Sequence, residues 1–255
     1  MGRFRWAESR DGLITTTISD IDGRSRRSRT RDRRTGALRS VRRGVDAVGG
    51  SPPTWRQAVR AVVLATKGEV AVSHRTAVRL LGGRRSDDDH IHVLGPEHRK
   101  VRLDGVIGHR SGVLEADDVI TRFGIPCTSP LRTVIDLSGV LSEPELGQVI
   151  DDFLRRRILD LEDLRGRVNR TRPAPGRSVR RLRAVLAARI PGYDPGESEL
   201  EGRIMRLIDG ARLPRPEQQY RVTFDSRRYR LDFAWPDRKV FLEGNGFGAH
   251  SIATD

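Results

Sequence analysis

Tyr229-Arg230-Leu231-Asp232-Phe233-Ala234-Trp235-Pro236 and, a few residues on, Val240-Phe241-Leu242-Glu243-Gly244-Asn245-Gly246 decide how the carboxyl end of this 255-residue chain is read. Both runs alternate apolar and polar residues as strands do. Trp235 to Arg238 supplies the Pro and Asp of a tight turn, so the segment reads as a β-hairpin. A turn centred on Pro236-Asp237 sets Asp232 opposite Phe241 and Glu243 opposite Arg230. Tyr229, Leu231, Phe233, Val240 and Leu242 then form one apolar face, and Arg230, Asp232, Glu243 and Asn245 share the other. Two carboxylates placed as diagonal neighbours, with backbones about 7 to 8 Å apart, span a distance that a hard divalent cation bridges. A polar face turned to solvent explains the same alternation.

The run Tyr-Arg-Leu-Asp-Phe-Ala-Trp-Pro followed by Leu-Glu-x-Asn-Gly-x-x-x-His resembles the C-terminal domain of PD-(D/E)XK nucleases related to very-short-patch-repair endonucleases. The resemblance implies a Mg²⁺ cofactor held at Asp232, Glu243 and Asn245. It implies a catalytic set of Asp232, Glu243, His250 and Glu201, with His250 moving a proton and Glu201 supporting the metal from the preceding helix. Glu201 also closes a Ser198-x-x-Glu201 capping box, a purely structural use of the same carboxylate. In the family an Asp usually stands where Asn245 stands, and a further helix and strand follow the His. The expectation is therefore an incomplete, truncated nuclease-like domain that does not cleave by itself. The alternative is an active Mg-dependent DNA endonuclease completed by a dimer or a partner chain.

Charge is the strongest compositional signal. The net charge is +14 and the pI near 11.2, with Arg dominating, and its planar fork suits phosphate and guanine. DNA is the expected partner. The sequence has neither an apolar run of about 18 residues nor a basic helix with a large apolar face, so a membrane is not expected. Met1 to Asp20 lacks the apolar core of a signal peptide, which points to a cytoplasmic, nucleoid-associated location. The single Cys127 excludes an internal disulfide and reads as a small buried hydrophobe.

Between Arg24 and Arg43 stand ten arginines, Arg24, Arg26, Arg27, Arg29, Arg31, Arg33, Arg34, Arg39, Arg42 and Arg43, against one acid, Asp32. These are the candidate nucleic-acid contacts. Gly36 to Val48 alternates as a hairpin would. Together the segments resemble the winged helix-turn-helix of AbiEi-type antitoxin regulators, with Asp11-Gly-Leu-Ile-Thr15 opening the first helices, Arg24 to Arg34 as recognition helix and Arg39 to Val48 as wing. Asp46 stands where that family usually has Tyr. No aliphatic residue falls between Gly23 and Thr35, so the recognition helix has no apolar stripe and is expected to be poorly held, ordering on DNA.

From Ser51 the composition is that of a folded domain. Thr54-x-x-Gln57 is a capping box ahead of Val59, Val62 and Val63 on one helix face, with Gly68 placed to end it. Strand-like pieces follow at Ile91 to Leu94, Val101 to Leu103 and Val106 to His109. Ser73-His74, the His92 strand and Thr128-Ser-Pro130-x-Arg132-Thr-x-x-Asp136 resemble the middle of AbiEi-like regulators. His90 and His92 share one strand face after Asp87-Asp88-Asp89 and raise a metal reading. With no Cys beside them and no second spaced His cluster, a polar loop entering a strand is the simpler account. Ser142-x-x-Glu145 caps a further helix carrying Leu146, Val149, Ile150, Phe153 and Leu154. Pro191-Gly192-Tyr-Asp-Pro195-Gly196 marks the clearest boundary, and beyond it Leu200, Ile204, Leu207 and Ile208 form the sheet-facing side of the last helix.

The organisation expected is α/β (α+β): residues 1–50 a winged-helix-like basic segment, 51–140 an AbiEi-like mixed domain, 141–192 a helical linker, and 193–255 the nuclease-like domain. The function expected is a DNA-binding, antitoxin- or regulator-like protein, with a cognate toxin or a second copy of the chain as further partner.

Overall fold

The computed structural model describes residues 3–84, 88–112, 114–189, 199–224 and 227–244. Its first unit is built from α1 (Arg3–Glu8), β1 (Leu13–Thr15), α2 (Thr16–Ile21), α3 (Arg26–Arg34), β2 (Leu38–Arg42) and β3 (Val45–Val48), with a sheet ordered β1-β3-β2. This is the winged-helix arrangement. One detail differs from expectation: Leu13 to Thr15 is a strand, and the helix starts only at Thr16. Asp11 and Gly12 both hold left-handed backbone and turn the chain there, after which the Thr15 hydroxyl caps α2 by accepting from Ile18 N.

Helix α4 (Trp55–Ala65) follows. Its Thr54 hydroxyl accepts from Gln57 N as the capping box requires, but the Gln57 side chain reaches the Asp11 carbonyl instead of closing the box. α4 is buried on two sides. Ala61 packs with Leu13, Val45 and Ala47 of the first unit, while Val59, Val62 and Val63 enter the main core. Arg60 strengthens the seam, donating to Asp11 and to the carbonyls of Phe123 and Gly124.

The central sheet orders β6-β5-β4-β8-β7 from β4 (Ala71–Val72), β5 (Ile91–Pro96), β6 (Val106–Ser111), β7 (Val119–Arg122) and β8 (Ile125–Thr128). β4 runs parallel to β8 and β5 parallel to β6, the other pairs being antiparallel. Val101 to Leu103 is not a strand. Those side chains are partly buried against the core from a loop. Helices α5 (His74–Leu80), α6 (Pro130–Leu137), α7 (Glu143–Arg155), α8 (Leu161–Arg170) and α9 (Val179–Ala187) cover the sheet. Leu146, Ile150, Phe153, Leu164, Val168, Leu182 and Leu186 of the last three belong to the same buried core as Val72, Val93 and Ile125. The stretch expected as a linker is thus a packed layer, because its apolar stripes meet that core.

Charge is buried beside this core. Arg132, nearly inaccessible, donates to Asp136, Asp118 and Ser111, and Arg167 donates to the other oxygen of Asp118 and to Glu115. The Thr128 to Asp136 motif is therefore a structural network. Cys127 is buried, and burial pushes its thiol up to about 11.

The last unit is α10 (Glu199–Gly210) with a sheet ordered β11-β10-β9 from β9 (Glu217–Phe224), β10 (Arg227–Trp235) and β11 (Val240–Leu242). Met205, Ile208 and Phe233 form its buried apolar cluster, with Ile204 and Trp235 against them. Leu207, expected inward, is 73% exposed, and Met205 takes its place. Tyr229, Val240 and Leu242 are also exposed, so the expected apolar face is buried only at Phe233 and around it. Trp235 anchors the turn through Nε1 to the Pro214 carbonyl at 2.6 Å. The Pro191 to Gly196 boundary lies outside the described residues. Among those described, no helix is long and apolar enough to cross a membrane.

Candidate functional site

Two constellations matter, one cationic and one anionic. The cationic one is α3. Its nine residues contain no hydrophobe, yet the helix is fixed to its neighbours. Arg29 donates to Asp20 and to the Arg24 carbonyl, Arg33 donates through Nε and Nη2 to both oxygens of the buried Asp46 at 2.9 and 2.8 Å, and Arg24 holds Asp32 through Nη2. Charge-assisted bonds replace the missing apolar stripe. The poorly held recognition helix expected from the sequence is corrected on that ground. Asp46, out of pattern by sequence, is the wing residue that clamps it.

With Arg29 and Arg33 turned inward, Arg26, Arg27, Arg31 and Arg34 fall within about 140° of the helix circumference. All four are exposed, and none carries an ion pair among the described residues. On the wing, Arg39 donates to Gln57 and Arg42 to the Asp104 carbonyl, while Arg43 stands exposed in the β2–β3 turn. The ten candidate arginines thus divide into those that hold the unit together and those that face outward.

The anionic constellation lies on the last sheet. Phe233 pairs with Leu242, Ala234 with Phe241 and Trp235 with Val240. The expected turn centre was two residues out of register. A single 3-10 turn at Pro236–Arg238 and left-handed backbone at Lys239 lengthen the loop, and one step beyond the last pair Asp232 stands across from Glu243. The two are direct neighbours, not diagonal ones. Burial, the Asp232 charge and a hydrogen bond to Asp232, with Glu201 adding to them, raise the Glu243 pKa. One Asp232 oxygen accepts from Gly244 N at 2.8 Å.

Glu201, on the first turns of α10, is buried and accepts from Gln219 Nε2 at 3.0 Å. Gln219 was not singled out by sequence. It holds left-handed backbone in β9, and its Oε1 is buried without a hydrogen-bond partner among the described residues. Asp232 and Glu201 both act on the Glu243 carboxyl, so three hard oxygen donors share this end of the sheet. Asn245, His250 and the Ser198 of the capping box lie outside the described residues.

No family model matches this chain. It is 28% identical over 182 residues to an uncharacterized protein of Mycobacterium tuberculosis, MT2308 in strain CDC 1551 / Oshkosh and Rv2248 in strain H37Rv, the match covering 69% of this chain and 62% of each relative. The match therefore spans less than two thirds of the length of the curated relatives. Among solved structures the chain is similar to the RV2827C protein from Mycobacterium tuberculosis, with a TM-score of 0.50 at 18% identity over 87% of this chain and 89% of that one. That likeness concerns the fold.

Proposed function

We propose that this chain is a DNA-binding, antitoxin- or regulator-like protein that lays α3 into the major groove and its β2–β3 wing along the backbone. The carrying observation is the outward face of Arg26, Arg27, Arg31 and Arg34 on a helix fixed by inward ion pairs. A guanidinium row of this kind meets phosphate oxygens, and a helix in this position of a helix-turn-helix is the one that enters the groove. With Arg39 and Arg43 contributing from the wing, about six phosphate contacts give a slope of log affinity against log salt near −5. The test is duplex binding across a salt series. Replacing Arg26, Arg27, Arg31 and Arg34 by Ala is expected to flatten the slope by about three to four units. An unchanged slope would remove α3 from the interface.

A second reading, Mg²⁺-dependent DNA cleavage, is favoured by the carboxylate cluster. Asp232, Glu243 and Glu201 would hold the ion, which when bound polarises the scissile phosphate and lowers the pKa of the attacking water. Gln219 orients Glu201, and the Gly244 amide fixes one Asp232 oxygen. Arg228 and Arg230 lie on the same side of β10 as Asp232, with Arg221 opposite Arg230, and supply cations for the nucleic-acid backbone. The sequence carries Asn245 where the resembled family usually has Asp, and the first reading expects no turnover. Incubation of supercoiled plasmid with Mg²⁺ separates the two: nicking that disappears in Asp232→Ala would make the endonuclease reading the better one.

A further inference from the structure

We propose that His74, His92 and His109 form a binding site for one transition-metal ion of the Zn²⁺ class, with Asp88 as the outer carboxylate that orients His92. One ligand atom from each imidazole lies within 4.8 Å of the others. The three come from separate elements, His74 at the start of α5, His92 in β5 and His109 in β6. The parallel register places His109 beside Leu94 and His92 beside Ile107, two residues apart along the paired strands. Sequence pointed to His90 with His92. Folding sets His90 aside, exposed and bonded to Asp88, and brings His74 and His109 to His92 from either side in the chain.

With both rings neutral, the hydrogen bonds admit one arrangement of protons. Asp88 Oδ2 lies 2.8 Å from His92 Nε2, and a carboxylate only accepts, so that nitrogen carries the proton and His92 Nδ1 presents a lone pair. His109 Nε2 lies 2.9 Å from that lone pair and donates to it. A cation entering between them takes the His92 Nδ1 lone pair, and the His109 proton moves to Nδ1 of its own ring, which frees Nε2 as the second ligand. The Asp88–His92 pair is the carboxylate–imidazole arrangement that stands behind metal-bound histidines. Ser73 Oγ, 2.9 Å from His74 Nδ1, holds the third ring.

The backbone supports the same assignment. His74 is buried and holds φ +50°, a left-handed conformation in which a side chain is uncommon. Strain of this kind concentrates where a side chain must be aimed, and here it aims an imidazole into a stack with His109 at 3.5 Å between ring centroids. Tetrahedral Zn–N bonds of about 2.0–2.1 Å require ligand nitrogens about 3.4 Å apart. The rings therefore rotate from their stacked, hydrogen-bonded arrangement to converge, opening the 2.9 Å pair slightly and closing the widest. Three nitrogen ligands leave a fourth position for water. His109, half-buried, marks the entry side.

The experiment is titration of the metal-stripped full chain with Co²⁺ and Zn²⁺. Expected are one equivalent bound, the visible absorption of four-coordinate Co²⁺, and a rise in melting temperature with ion concentration. His109→Gln, at a half-buried position, should lose the absorption and the thermal shift while keeping the circular dichroism of the parent. Asp88→Asn should weaken binding about 10- to 100-fold, and Asp232→Ala combined with Glu243→Ala should leave it unchanged. No uptake by the parent chain at micromolar ion, or uptake retained in a folded His109→Gln, would overturn the assignment.

Discussion

Arg33 and Asp46 meet fork to fork, two nitrogens on two oxygens, and through that pair the arginine helix is fastened to the wing that follows it. Asp46 is almost wholly buried while Arg33 keeps part of its surface in water, so the pair stabilises more than an exposed one. Asp46→Ala is expected to cost about 1.5–3 kcal/mol, the range for hydrogen bonds to charged groups. The midpoint of urea unfolding measures it, and a loss well under about 0.5 kcal/mol would mean that α3 is held by something else.

Adjacent arginines should behave differently. Arg34→Ala removes an outward cation and is expected to flatten the salt slope of DNA binding by about one unit with little change in stability. Arg33→Ala is expected to do the reverse, lowering stability by leaving Asp46 buried and unpaired. Paired binding and unfolding curves for the two variants decide it. Equal effects on both measurements would erase the distinction between inward and outward faces.

The buried network predicts an asymmetry between two carboxylates. Asp118 receives Arg132 on one oxygen and Arg167 on the other, whereas Asp136 Oδ2 has no hydrogen-bond partner among the described residues. Asp118→Asn is expected to cost about 3–5 kcal/mol, the range for breaking a buried pair, and Asp136→Asn considerably less.

Asp136 also predicts a pH dependence. Burial pushes it up to about 6 from the ordinary 3.8, with Arg132 pulling the other way. Between those values the folded chain retains a proton that the unfolded chain has released. Its contribution to stability is complete below about pH 4 and is lost as pH rises through about 6, at no more than about 1.4 kcal/mol per pH unit. The difference between the parent and Asp136→Asn in urea unfolding, followed from about pH 4 to 7, isolates this group. A difference that does not change with pH would place the Asp136 pKa at its ordinary value.

Residues 199–244 should open before the rest. Their buried apolar cluster is Met205, Ile208 and Phe233 with two partners, against a core running from Val59 to Leu186 in the middle of the chain. Hydrogen exchange is expected to give lower protection in β9 and β10 than in β5 and β8. Phe233→Ala should unfold the last unit while leaving the central sheet protected. Equal protection throughout would show that the units unfold together.

The elements were legible where a local pattern sets them. The Ser142 cap with Glu145, the wing hairpin and the helix carrying Leu146 and Phe153 follow from periodicity and capping residues alone. What escaped the sequence depends on pairing at a distance. The α3 side chains give no sign that Asp20 and Asp46 will hold them, since opposite charges far apart in sequence leave no periodic trace. The hairpin register turned on Lys239 accepting left-handed backbone, a choice no preference of lysine announces. Asp232, Glu243 and Glu201 were legible as residue types in a known pattern. Gln219 was not, because its role comes from an irregular point in β9.

Helix α4 gives one surface to the winged helix and another to the central sheet. The arginine face is therefore mounted on the frame of the middle domain. A fragment ending at residue 50 would lack a wall of its own interior, with Leu13, Val45 and Ala47 laid open, so the smallest piece that holds the arginine face as the whole chain does extends through residue 65. The same mounting runs in the other direction: Val59 and Val62 tie the unit that carries the arginines to the buried core of the middle domain.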